Sequence, residues 1–146
     1  IYVLACRRRK SNLNAEKMAL EQRTGVLMKR IDELMAGKQL YRKYDLKAGN
    51  VAELLGTNTA HVMECIRIQR GHSFTQYVNS LRVDYAKKMM LEQPDMKLRT
   101  LYTSAGFNSD TSFFRTFKQF TGLTAREWLT REQKSAKHKK GQHSGT

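Results

Sequence analysis

Proline and cysteine are almost missing from this chain, and each shortage excludes something. One proline, Pro94, and no sustained Val/Ile/Thr alternation argue against a sheet, while abundant Leu, Met, Lys, Glu, Gln and Arg favour helix. The chain reads as all-α. Two cysteines, Cys6 and Cys65, lie far apart without metal-type spacing, which suits a reducing compartment with no disulfide framework. The four histidines fail the same test: His138 and His143 lie in a Lys/Gly-rich tail, and a predicted helix separates His61 from His72. No metal and no cofactor are expected. No nucleophile–base pair, paired carboxylate or phosphate-binding glycine loop occurs at usable spacing, so the chain is not expected to be an enzyme. At 146 residues it can hold one ordinary domain or two very small ones.

Acidic residues are also few. The net charge is +14, which points to a polyanion such as nucleic acid or an anionic membrane surface. The excess is uneven: residues 1–43 carry 11 Lys/Arg against 4 Asp/Glu, residues 44–130 carry 11 against 8, and residues 131–146 carry 5 against 1. Charge alone therefore does not locate a binding surface in the middle.

The opening "IYVLACRRRK" is too short an apolar run to span a bilayer, which takes about 20 residues. An apolar run cut off by Arg7, Arg8, Arg9 and Lys10 matches the cytoplasmic end of a membrane helix under the positive-inside rule. An ordinary basic arm over residues 1–13 is the competing reading. A lipoprotein cleavage site at "LAC" is disfavoured by the basic residues that follow it. Residues 131–146, polar and basic without apolar periodicity, read as a disordered tail that adds phosphate attraction.

Between these flanks, Asn14 is placed to cap a connector helix through Leu27, Ile31, Leu34 and Met35, ending near Gly37. A short helix follows with Val51, Leu54 and Leu55 inward, then a turn at Gly56 and a helix from about Asn58 to Gln69. Ser73 caps a long helix with apolar residues at Phe74, Tyr77, Val78, Leu81, Tyr85, Met89 and Met90, ended by Pro94. The pattern then repeats: a short helix from Leu98 to Ala105, Gly106, a helix from Ser109 to Phe120, Gly122, and a last helix capped by Thr124 and carrying Trp128.

The repeat is informative. "GTN" at Gly56 matches "GFN" at Gly106, and "GHSFTQYV" at Gly71 matches "GLTAREWL" at Gly122, one residue being inserted between the anchors. Each copy has the sequence form of a helix-turn-helix.

At these residues the chain resembles the DNA-binding domain of the AraC/XylS family of bacterial transcription regulators. "GFNSDTSFFRTFKQFTGLTAREW" is similar to that family's signature, and "SFTQYVNSLRVDYAKKMML" to its linker helix, with coverage from about Leu27 to Leu129. The resemblance implies about seven helices: two helix-turn-helix subdomains over residues 37–130, joined by one long helix and preceded by the connector 14–36. The second helix of each unit would enter a major groove. The linker helix, about 20 residues, spans about 30 Å, close to the ~34 Å turn of B-DNA, so successive grooves are within its reach.

The candidate DNA contacts are Thr59, Ala60, His61, Met63, Glu64 and Arg67 in the first unit, Asn79 and Arg82 on the linker, and Asn108, Ser109, Asp110, Thr111, Ser112, Arg115 and Lys118 in the second. Phe113, Phe117 and Phe120 recur as a core stripe, with Trp128 also inside. Arg115 can donate to guanine or phosphate, Thr111 and Ser112 to bases or backbone, and Asp110 can accept from cytosine or serve its own helix terminus. The competing reading of Arg115 is a surface ion pair, and that of Asn79 and Arg82 a solvated helix face. Glu64 stands where the second unit has Arg115, so it repels phosphate unless it meets a cytosine amino group, and Arg67 and Arg70 are left to hold phosphates. Ala125 stands where the family commonly has proline, a small loss at a first helical turn.

The expected function is sequence-specific binding of double-stranded DNA by a cytoplasmic output domain, tethered to the inner membrane if the opening run is a membrane end. An upstream sensor region, RNA polymerase and a second copy of the chain are the further partners considered. Two alternatives stay open: non-specific binding of nucleic acid or anionic membrane through the flanks, and a protein-interaction module docking the transcription machinery.

Overall fold

In a computed structural model, which describes residues 1–141, the chain forms seven α-helices and no strand among those residues. They are α1 (Tyr2–Lys38), α2 (Ala48–Leu55), α3 (Thr59–Arg70), α4 (Phe74–Glu92), α5 (Leu98–Ala105), α6 (Asp110–Thr121) and α7 (Ala125–Gly141), with a 3-10 turn at Leu40–Arg42. Two compact units result. One joins Ile1–Leu40 to Leu46–Tyr77; the other joins Tyr41–Asp45 to the chain from Val78 onward.

In the first unit the C-terminal part of α1 packs on α3. Thr24, Met28, Ile31 and Met35 recur on one helical face and are buried with Val51 and Ala52 of α2 and Val62, Cys65 and Ile66 of α3. A polar seam reinforces the contact. The Cys65 thiol donates to the Thr24 carbonyl at 3.0 Å, and the Gln69 amide donates to the Glu21 carbonyl at 2.9 Å and to Thr24 Oγ1 at 2.8 Å. Burial raises the Cys65 thiol pKa above its ordinary value. Arg70 pairs with one oxygen of Asp32 and the Tyr77 hydroxyl donates to the other at 2.7 Å. Burial, and then that bond to Asp32, push the Tyr77 hydroxyl far above its usual range.

The second unit is built on an aromatic core. Phe113 and Phe117 of α6 are wholly buried among Val83, Ala86 and Met90 of α4, Phe107 and Trp128. Phe107 meets Phe113 edge to face at 5.4 Å, and Phe117 meets Trp128 at 5.9 Å. Gly106 closes the α5–α6 turn with φ +102°, where a β-carbon would lie 2.4 Å from the Tyr41 carbonyl oxygen. No other residue fits there.

Several boundaries differ from the sequence expectations. Asn14 lies inside α1, which runs unbroken from Tyr2 because no glycine or proline precedes Gly25. α1 continues past Gly37 to Lys38, and Gln39 takes the left-handed cap at φ 48°. The expected disordered tail is helical from 131 to 141, again a stretch of helix-favouring residues without a breaker before Gly141; its remainder, 142–146 with His143, lies outside the described residues. Leu54, expected inward, is 52% exposed, since Ala52 takes the inner position beside Val51. Phe120, expected in the core stripe, is 38% exposed. The stripe ends at Phe117 because Thr116, not Phe120, completes the buried arc of α6.

Among the described residues no helix is long and apolar enough to cross a membrane.

Candidate nucleic-acid interface

The second helix of each hairpin begins in the same way. Asn58 caps α3, its Oδ1 accepting from the His61 N–H at 2.9 Å, and Ser109 caps α6, its Oγ accepting from the Ser112 N–H at 3.1 Å. Gly71 and Gly122 end these helices with positive φ. The helices that follow start with matching reciprocal caps, Ser73 with Gln76 and Thr124 with Glu127. The inserted residue of the repeat therefore falls in the turn before Ser109, where Phe107 goes into the core and Asn108 stays exposed.

With Asn58 matched to Ser109, the exposed faces of α3 and α6 correspond position by position. Thr59, Ala60, His61, Met63, Glu64 and Arg67 answer to Asp110, Thr111, Ser112, Phe114, Arg115 and Lys118, and all are exposed. Ser109 is half-buried by its cap.

On α6, Asp110 accepts from the Thr111 N–H at 2.6 Å, so its carboxylate serves its own helix N-terminus, the second of the two roles open to it. Arg115 and Lys118 form no ion pair among the described residues. Phe114, 43% exposed beside them, was not among the expected contacts. Its signal was present: it lies one position off the Phe113/Phe117 stripe and therefore points away from the core.

On α3, the Glu64 carboxylate lies 4.0 Å from Arg67, an exposed pairing that softens the repulsion expected of Glu64. The His61 ring is tied back to the turn through Thr57 at 3.2 Å. Met63, 51% exposed, occupies the position of Phe114. Ala60, Met63, Glu64 and Arg67 line a groove of about 660 Å³ whose other wall is Gly71, His72, Ser73 and Phe74. Arg70, expected on phosphate, is instead held by Asp32.

Arg82 and Asn79 also have internal work. Arg82 Nε donates to the Tyr41 carbonyl at 2.6 Å, Nη2 to the Lys43 carbonyl at 2.7 Å and Nη1 to Asn79 Oδ1 at 3.3 Å. Burial lowers its pKa. The pair fastens the segment Tyr41–Asp45 to α4, beside Gly106, so the Arg82 guanidinium expected on the DNA backbone is engaged inside the second unit.

A family model described as a helix-turn-helix domain matches residues 51–131. An uncharacterised HTH-type transcriptional regulator of Staphylococcus aureus (strain MSSA476) is 29% identical over 106 residues, covering 68% of this chain and 14% of its own length. The uncharacterised transcriptional regulatory protein YesN of Bacillus subtilis (strain 168) is 27% identical over 81 residues, covering 55% of this chain and 22% of its own. The chain thus spans a small part of these relatives. Among solved structures, the C-terminal domain of AraT, a response regulator from Geobacillus stearothermophilus, superimposes with a TM-score of 0.63 at 18% identity, over 70% of this chain and 83% of its own. The C-terminal domain of the response regulator yesN from Fusobacterium nucleatum does so with 0.61 at 17% identity, over 70% and 97%. Hairpins, caps and family match agree: the chain belongs to the AraC/XylS-type helix-turn-helix transcriptional regulators, a DNA-binding family.

Proposed function

We propose that this chain is a non-catalytic, sequence-specific reader of double-stranded DNA, using α3 and α6 as two recognition helices in successive major grooves and acting in the cytoplasm. The observation that carries this reading is the correspondence of the two exposed faces, each set on a capped helix behind a glycine turn. The faces differ in chemistry. Arg115 and Lys118 suit guanine edges and phosphate, and Phe114 suits a thymine methyl. Ala60 and Met63 offer apolar contact, and Glu64 accepts from a cytosine amino group. The two half-sites are therefore expected to differ in sequence, and one chain can read an asymmetric site.

The test is selection of bound sequences from a random duplex pool at physiological salt, comparing the intact chain with Arg115→Ala and Glu64→Ala. An enriched motif of two boxes about one helical turn apart, with a different box relaxing in each variant, supports the reading. Binding without enrichment that disappears as salt rises would assign it to the basic flanks instead.

A further inference from the structure

Four of the five leucines of α1 follow a rule that its buried stripe does not require. Leu13, Leu20, Leu27 and Leu34 recur every seventh residue, with Cys6 one heptad earlier. The stripe that packs on α3 is a different one, Thr24, Met28, Ile31 and Met35. Leu20, Leu27 and Leu34 lie beside it half-buried, and Leu13 is 63% exposed. A seven-residue apolar repeat stays on one line only when helices supercoil around each other. From Tyr2 to Ala19 every residue of α1 is exposed, and a helix of that length standing alone in water is marginal.

We infer that the exposed part of α1 pairs with α1 of a second copy of this chain, as a parallel, in-register two-stranded coiled coil. With the leucines at d, the a positions of the free segment are Val3, Lys10 and Lys17. Below them Thr24 and Ile31, also at a, are buried in the first unit, so the seam ends near Leu20. Charge complementarity supports self-pairing at its centre: Glu16 falls at g and Glu21 at e, and a lysine at a of a parallel pair lies beside the second copy's flanking carboxylates. Arg7, Arg8 and Arg9 have no acidic residue in their heptad, and Lys10 shares its own only with Glu16, so these cations repel in such a pair and the association is weak and strongest around Leu13 to Leu20. This inference is independent of how each chain reads DNA.

Disulfide trapping tests it on the whole chain. Cys6→Ser removes the exposed native thiol, and Cys65 is buried. In that background Leu13→Cys places a thiol in the seam and Ala15→Cys, an f position, places one facing solvent. Pairing predicts that mild oxidation cross-links position 13 at least about tenfold faster than position 15, since facing d positions bring their Cβ atoms within disulfide reach. Adding Leu20→Glu should abolish the difference, with the helical circular dichroism of the folded core unchanged. Equal rates at 13 and 15 would overturn the inference. Cross-linking of a 13/20 mixture without 13/13 product would also overturn it, because that is an antiparallel pair.

Discussion

Arg82 and Arg115 show how differently one residue type can be used within one chain. Arg82 is partly buried, with donors on two backbone carbonyls and one amide oxygen, all within the second unit. Removing it leaves the Tyr41 and Lys43 carbonyls without their charged donor, a loss of about 1–3 kcal/mol. Arg115 is exposed and without an ion pair among the described residues, so its removal leaves the fold alone. The expected pattern is a crossed one. Arg82→Ala lowers the denaturation midpoint followed by the single tryptophan, Trp128, and keeps the DNA motif; Arg115→Ala keeps the midpoint and weakens specific binding by about 1–3 kcal/mol. Urea titration and binding isotherms on both variants check it. Equal losses of stability would contradict the placement of these two side chains.

At the scale of the element, α6 divides its phenylalanines between two tasks. Phe117 is wholly buried against Phe113 and Trp128, whereas Phe120 and Phe114 are 38% and 43% exposed. Phe117→Ala is expected to cost about 3–5 kcal/mol, the range for a large aromatic deleted from a packed core. Phe120→Ala should cost less than about 1 kcal/mol. Thermal denaturation of the two variants separates them, and a large loss at Phe120 would restore it to the core. The 3.6-residue period places both on neighbouring lines of the helix, so the division depends on which line α4 and α7 cover. The caps of the two hairpins and of the helices that follow them were more legible than that of α1, which overruns Asn14. Asn58, Ser109, Ser73 and Thr124 begin their helices where hydroxyl or amide side chains precede helix-forming runs, because capping is settled within three residues of chain.

For the whole molecule, most of the excess positive charge lies in the flanks, outside the candidate faces of α3 and α6. The residues of α7 beyond Glu132 are exposed and carry Lys134, Lys137, Lys139 and Lys140, a cationic helix end that attracts phosphate without reading bases. Truncation after Glu132 leaves the core residues Ala125 and Trp128 in place. It should retain the enriched motif while making the dependence of affinity on salt shallower, by up to about 0.9 log units per log unit of salt for each phosphate no longer neutralised. Filter or anisotropy titrations over a salt series decide this. If the motif disappears with the tail, the reading function was misplaced.

The all-helical class, the duplicated hairpin, the capping residues and the candidate faces of α3 and α6 follow from local rules: helix propensity, glycine at left-handed turns and apolar periodicity along one helix. Those rules act over a few residues, so order along the chain contains them. Which charged groups remain available was decided by packing. Arg70 was turned to Asp32, and Arg82 with Asn79 to the segment Tyr41–Asp45, by residues 38 to 41 positions away in sequence. Phe120 and Leu54 were left outside because Thr116 and Ala52 took the inner positions. Periodicity names the helical face that can be buried, but only contact between distant segments sets where that face ends, and a buried donor must then find its acceptor wherever the fold has put one.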